Sequence, residues 1–157
     1  MDSDEIEDFL TSGYWDISPE RPQTRKACRE VLARLPEDLV EEIVYQCGKI
    51  VLLAPGKEWG LARPISFPCK PEAIRVQLGR KSRKLYQVEM GLVYLSPDLE
   101  TESYPVIVAV VAHELAHALS RQIVDKESEL LADNLIQQWG FGKELEALRA
   151  ANPRHRY

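Results

Sequence analysis

Apolar residues along this chain recur with two different periods, and the changes of period mark out its elements. Between residues 24 and 35, Ala27, Cys28, Val31, Leu32 and Leu35 fall on one helical face, and Pro36 ends the run. Leu39, Val40, Ile43, Val44 and Cys47 repeat that pattern up to Gly48, which is placed as a C-terminal cap. Strand patterns follow. Residues 49–54 (KIVLLA) are short, β-branched and stopped by Pro55-Gly56, and Ile74, Val76 and Leu78 alternate with Arg75 and Gln77. Residues 79–84 read as a hairpin tip, and Tyr86, Val88, Met90 and Leu92 alternate on the return, where Gly91 marks a bulge or bend. Residues 55–71 hold four prolines and two glycines, show no usable period and read as an irregular loop. Residues 92–97 form the last strand before a helix that starts near Tyr104-Pro105, with proline at a tolerated first-turn position. Further on, Leu131, Leu135 and Trp139 form a helical stripe with Ile136 beside it, Gly140 to Gly142 break the chain, and residues 143–151 make a last short helix.

Composition narrows the picture. The chain is 157 residues long, which suits one domain that can bury a core without staples. Residues 1–22 are an acidic lead-in with a short helix expected around Ile6 to Leu10, and residues 152–157 are a polar tail. A net charge of −5 argues against a general nucleic-acid binder, so the basic cluster Arg80, Lys81, Arg83 and Lys84 reads as a solvated turn. Cys28, Cys47 and Cys69 are widely spaced and form no CxxC pair, which argues against a disulfide framework or a thiolate zinc site. The acidic start MDSDEIEDFL lacks the features of a signal peptide, and the apolar run 106–112 is too short to span a bilayer. The expectation is a cytoplasmic protein in a reducing setting, with no membrane partner.

The chemistry concentrates in that apolar helix, which carries His113-Glu-Leu-Ala-His117, an HExxH unit. Four residues of helix advance about 6 Å and return to nearly the same face, so two imidazoles can point at one ion. Glu114 lies roughly 100° further round, too far to be a ligand from that turn but able to reach a water on the ion as general base. The competing reading is a core helix whose histidines fall at i and i+4 by accident. Against it, residues 107–112 are all Val, Ile or Ala, and uncompensated Glu or His in such a buried helix is costly. A divalent cation is the simplest compensation.

Catalytic zinc usually takes three protein ligands plus water. Asp125, Glu127, Glu129, Asp133 and His155 are the downstream candidates. In one continuous helix Glu129 would lie about 18 Å beyond His117 and could not share its ion. A reversal around residues 122–125, where Ile123-Val124 are poorer helix formers and Asp125 is a good N-cap, would bring the two level. Glu129 and Asp133 then share one line at i and i+4, as a ligand and a supporting carboxylate require, the alternative being a solvated acidic face.

His113-Glu114-Leu-Ala-His117 followed by Glu129-Leu-Leu-Ala-Asp133 resembles the HExxH…ExxAD pattern of gluzincin-type zinc metallopeptidases. It is similar to the compact forms in the M48 and ImmA/IrrE groups, over residues 91–139. The metzincin pattern is excluded, since Ser120 and Ile123 stand where its glycine and third histidine would be. The resemblance implies an α+β minimal zincin, with a small, mainly antiparallel sheet packed by an active-site helix and further helices. It implies that His113, His117 and Glu129 bind Zn2+, that Glu114 activates water, and that Asp133 supports the site. A protein or peptide substrate is implied, such as one specific partner, which could add itself as a strand to residues 92–97 if these form a sheet edge. Tyr94, Tyr104, His155 and Tyr157 are all open as the group that stabilises the oxyanion. The second reading is a catalytically inactive zincin-fold binding or regulatory protein.

Overall fold

A computed structural model describes residues 3–11, 15–16, 20–52, 59–68, 74–78, 81–85, 87–120 and 126–152, with side chains over 4–7, 10, 20–43, 59, 93–119 and 127–152. In chain order the elements are α1 (Ser3–Thr11), β1 (Trp15–Asp16), α2 (Pro22–Arg34), α3 (Glu37–Gln46), β2 (Cys47–Leu52), β3 (Gly60–Pro68), β4 (Ile74–Leu78), β5 (Lys81–Leu85) and β6 (Gln87–Leu95). A 3-10 turn (Pro97–Thr101), α4 (Tyr104–Ser120), α5 (Lys126–Gln138) and α6 (Gly142–Ala151) complete it.

The expected α+β minimal zincin with its mainly antiparallel sheet is overturned. The described body is mostly helical, and among residues described to the side chain only 93–95 lie in a strand. The pairing of the strand backbones is also of a different kind. The pairing is mixed: β1 with β2 and β2 with β6 are parallel and β3 with β6 antiparallel in the order β1-β2-β6-β3, while β4 and β5 form a separate antiparallel pair. The physical reason is connectivity: α2 and α3 carry the chain from β1 back to the start of β2, and such a crossover delivers a parallel neighbour. Alternation of period two is the same in either case.

Several smaller expectations change with it. Gly48 is no helix cap but lies in β2 where the register slips, between the pairs Cys47–Gly91 and Lys49–Leu92, so the bulge belongs to β2 and Gly91 only faces it. The proline-rich stretch is half strand: β3 pairs with β6 along its whole length, Pro64 opposite Gly91 and Pro68 opposite Gln87. Prolines are tolerated there because β3 is an edge strand. The basic cluster is no hairpin tip either, since Lys81, Arg83 and Lys84 are in β5 and pair with β4. Lastly, β6 is paired on both sides, by β2 and β3, so residues 92–95 are not an edge that a peptide could extend.

The helices pack around α4, which meets α2, α3, α5 and α6 as well as β2, β3 and β6. Every residue from 106 to 118 is buried, as an all-round apolar helix demands. Each fully buried Val or Ile there contributes about 1.5–3 kcal/mol. Val93 and Leu95 of β6 and Leu99 of the 3-10 turn add to the same core, as do Ala27, Cys28, Val31 and Leu32 of α2. Burial pushes the Cys28 thiol up to about 12, so it is an inert core residue.

Long-range contacts fix where α4 begins. The N-terminus of α2 has no cap of its own, and the Glu100 carboxylate supplies one by accepting from Gln23 N (2.6 Å), Thr24 N (3.0 Å) and Thr24 Oγ1 (2.7 Å). Tyr104, the first residue of α4, donates its hydroxyl to Glu30 Oε2 at 2.7 Å. The acidic lead-in joins the body through buried Ile6 and Leu10 and through Glu7, which meets Arg25 at 2.8 Å and Arg29 at 2.6 Å. Among the described residues no helix is long and apolar enough to cross a membrane.

Candidate metal centre

Helix α4 supplies His113, Glu114 and His117, all buried at 4–8% exposure. Helix α4 ends at Ser120 and α5 starts at Lys126, so the two are separate helices, and α5 packs against α4. Residues 121–125, on which the expected reversal and the Asp125 N-cap fall, lie outside the described residues. The return of α5 brings Glu129 to the histidines. Its Oε2 is 3.1 Å from His113 Nε2 and its Oε1 is 3.2 Å from His117 Nε2.

The two Nε2 atoms are themselves 2.9 Å apart. One ligand atom from each of His113, His117 and Glu129 can be chosen so that all lie within 4.8 Å of one another. Two ligand atoms each about 2.0–2.1 Å from a tetrahedral ion sit roughly 3.3 Å apart, so these separations fit the donor set N, N, O of a zinc site. Without a cation, three acceptor-rich groups at such distances must share protons.

The electrostatics reflect that sharing. Burial pulls His113 down, but its contacts with Asp133 and Glu129 and the charge of Glu114 outweigh burial and lift the imidazole to about 9. Glu129 moves the other way: burial raises it, and contacts with both imidazoles hold its carboxyl well below the usual range.

Asp133, one turn after Glu129 and 3% exposed, places Oδ1 at 3.2 Å from His113 Nδ1. A carboxylate there can accept the Nδ1–H, which fixes the tautomer and turns the Nε2 lone pair toward the ion. Its second oxygen, Oδ2, accepts from Arg149 Nη2 at 2.7 Å.

The other sequence candidates do not join this group. Glu127 is exposed in the first turn of α5, and Asp125, His155 and Tyr157 lie outside the described residues. Tyr104 stands nine residues before His113, about 13 Å along the axis, and its hydroxyl is committed to Glu30 with Lys26 Nζ 4.6 Å over its ring. Tyr94 is half-buried in β6, paired with Val51 and Leu61.

Arg149 was missed by the sequence reading. The available signal was the carboxylate itself, because a buried Asp needs a donor. Gly140 marks a tight reversal that sets Asp133, seven residues before it, roughly level with Arg149, nine residues after it. Comparison of the chain with family models, with curated proteins and with solved structures found no match to any of them.

Proposed function

We propose that this chain is a zinc-dependent metallopeptidase that hydrolyses peptide bonds. One observation carries the proposal: Glu129, sixteen residues from His113, returns with its two carboxylate oxygens against the two facing imidazoles of the HExxH unit. Two buried imidazoles and a half-buried carboxylate of this donor chemistry suit zinc, and the adjacent Glu114 is the group that hydrolysis requires.

His113, His117 and Glu129 would hold the ion, and Asp133 would orient His113. Bound zinc would lower the pKa of a water toward about 7 and polarise the scissile carbonyl. Glu114 would be the general base, taking one proton from the attacking water as its oxygen bonds to the carbonyl carbon and passing it to the amine nitrogen as the C–N bond breaks. The substrate is a peptide or protein. A reducing cytoplasmic setting is part of the reading, supported by the scattered cysteines and by Cys28 as a buried free thiol.

The test combines metal content with a peptide-library digest. Wild type is expected to hold near one zinc per chain and to cleave. Glu114→Gln is expected to keep the zinc and the fold and to lose cleavage by about 10²–10⁴-fold. A wild-type chain that takes up no zinc would sink the proposal. Biological activity that survives Glu114→Gln would leave the HExxH helix as the core of a binding or regulatory protein.

A further inference from the structure

We propose that Arg149, in the last turn of α6, is a positioning residue for the metal centre, so that metal affinity depends on the C-terminal helix being docked. The inference rests on the zinc reading above and deepens it. It starts from the two oxygens of Asp133, one facing His113 Nδ1 at 3.2 Å and the other accepting from Arg149 Nη2 at 2.7 Å. Asp133 is 3% exposed, while the Arg149 side chain is 38% exposed and reaches inward from the surface.

A buried carboxylate that loses a charged partner is left at high cost, or it swings toward another donor. Each of those outcomes weakens Asp133 as an acceptor for the Nδ1–H of His113. Removal of a group that orients a ligating histidine typically costs about 10–100-fold in metal affinity. The contact of Arg149 is with the outer oxygen of Asp133, so it acts through Asp133.

The rest of α6 is built to hold that register. Leu145 and Leu148 are buried, α6 packs on both α4 and α5, and Phe141 at the turn is fully buried. A second ion pair on the same helix, Glu144 with Arg34 at 2.6 Å, faces α2 and serves as an internal control.

Zinc affinity of the full chain, measured by competition with a chelating dye, tests the idea. Arg149→Met is expected to bind zinc about 10–100-fold more weakly with helical content unchanged. Arg149→Lys should recover part of that loss, because the contact runs through one guanidinium nitrogen and an ammonium can replace a point contact. In an Asp133→Asn background, Arg149→Met should add little, since the two act in series. Arg34→Met should leave zinc affinity unchanged.

Wild-type affinity in Arg149→Met overturns the inference and leaves the zinc reading intact. Full additivity with Asp133→Asn also overturns it, as does an equal loss in Arg34→Met, which would make the effect one of general stability. No zinc binding by wild type would sink both readings together.

Discussion

Two ionic clusters lie at different helix contacts of this molecule, one between α2 and α6 and one between α4 and α5, and they solve opposite problems. At the α2–α6 contact, Arg34 sits among acceptors: Glu144 Oε1 at 2.6 Å, Glu30 Oε1 at 3.2 Å and the Gly140 carbonyl at 2.7 Å, with its guanidinium 3.9 Å over the Phe141 ring. Burial lowers Arg34, the hydrogen bonds and charges of Glu144 and Glu30 together more than restore it, and Glu144 is lowered in return. That cluster carries its own cation. At the α4–α5 contact the converging groups are two imidazoles and a carboxylate, all of them acceptors for a cation. Its shifts are correspondingly larger, with His113 lifted to about 9. The lesson is to ask, of any buried polar cluster, whether a side chain supplies the charge at its centre or only the shell around it.

The comparison can be broken first at Glu129. Zinc at about 100 times its Kd is expected to stabilise wild type by about 2.7 kcal/mol, or roughly 5–11 °C in Tm for a chain of this size. Glu129→Ala should lose that gain, which calorimetry with and without a chelator would read.

The next effect is in pH. His113 is raised from 6.5 to about 9, so the stability that its contacts give the metal-free chain is complete below about 6.5 and is lost as pH rises through 9. Zinc must displace that proton, so its affinity should move the other way and weaken by up to about tenfold per unit as pH falls below 9. Denaturation and zinc titration between pH 6 and 9 should therefore show opposite slopes, and parallel slopes would contradict the assignment. Glu129 is lowered, so its own contribution persists above the ordinary carboxylate range and fails only in acid.

Arg34→Met sharpens the contrast from the other side. It should cost about 1–2 kcal/mol in urea denaturation through lost pairs and the ring contact, without altering the zinc response.

The smallest effect concerns the turn between α5 and α6. Gly140 has φ +88, Phe141 N–H donates to Ile136 O at 2.9 Å and Gly140 N–H to Gln137 O at 3.1 Å, a Schellman closure. A Cβ at Gly140 would meet nothing within 4 Å, so Gly140→Ala should cost only the backbone strain, about 1 kcal/mol.

Much of the site was legible because helical spacing is arithmetic. His113 and His117 share one face at i and i+4 by rise and turn alone, whereas bringing Glu129 level with them also took a helix break, read from the poor helix formers Ile123-Val124 and the N-cap residue Asp125. Asp133 followed one turn later. Arg149 did not, since its contact depends on the angle at which α6 leaves Gly140, which no local pattern encodes. The strands failed for a different reason. β1 is two residues long and leaves no period to read, and Pro64 and Pro68 made β3 resemble a loop although an edge strand accepts them. Parallel and antiparallel neighbours share one alternation, so the sheet's direction depended on a crossover through α2 and α3 that periodicity does not report.

The closure at Gly140 has a consequence for how the chain can change in length. Arg149 is seven residues into α6, and each residue of helix turns it by about 100°. One residue inserted in the first turn of α6 would keep every existing side chain, yet would carry Arg149 off the line to Asp133. A Gly140→Ala substitution is mild, whereas a shift of a single codon is severe. The spacing between residues 133 and 149 is thus a ruler, and tolerance to indels should drop sharply within it.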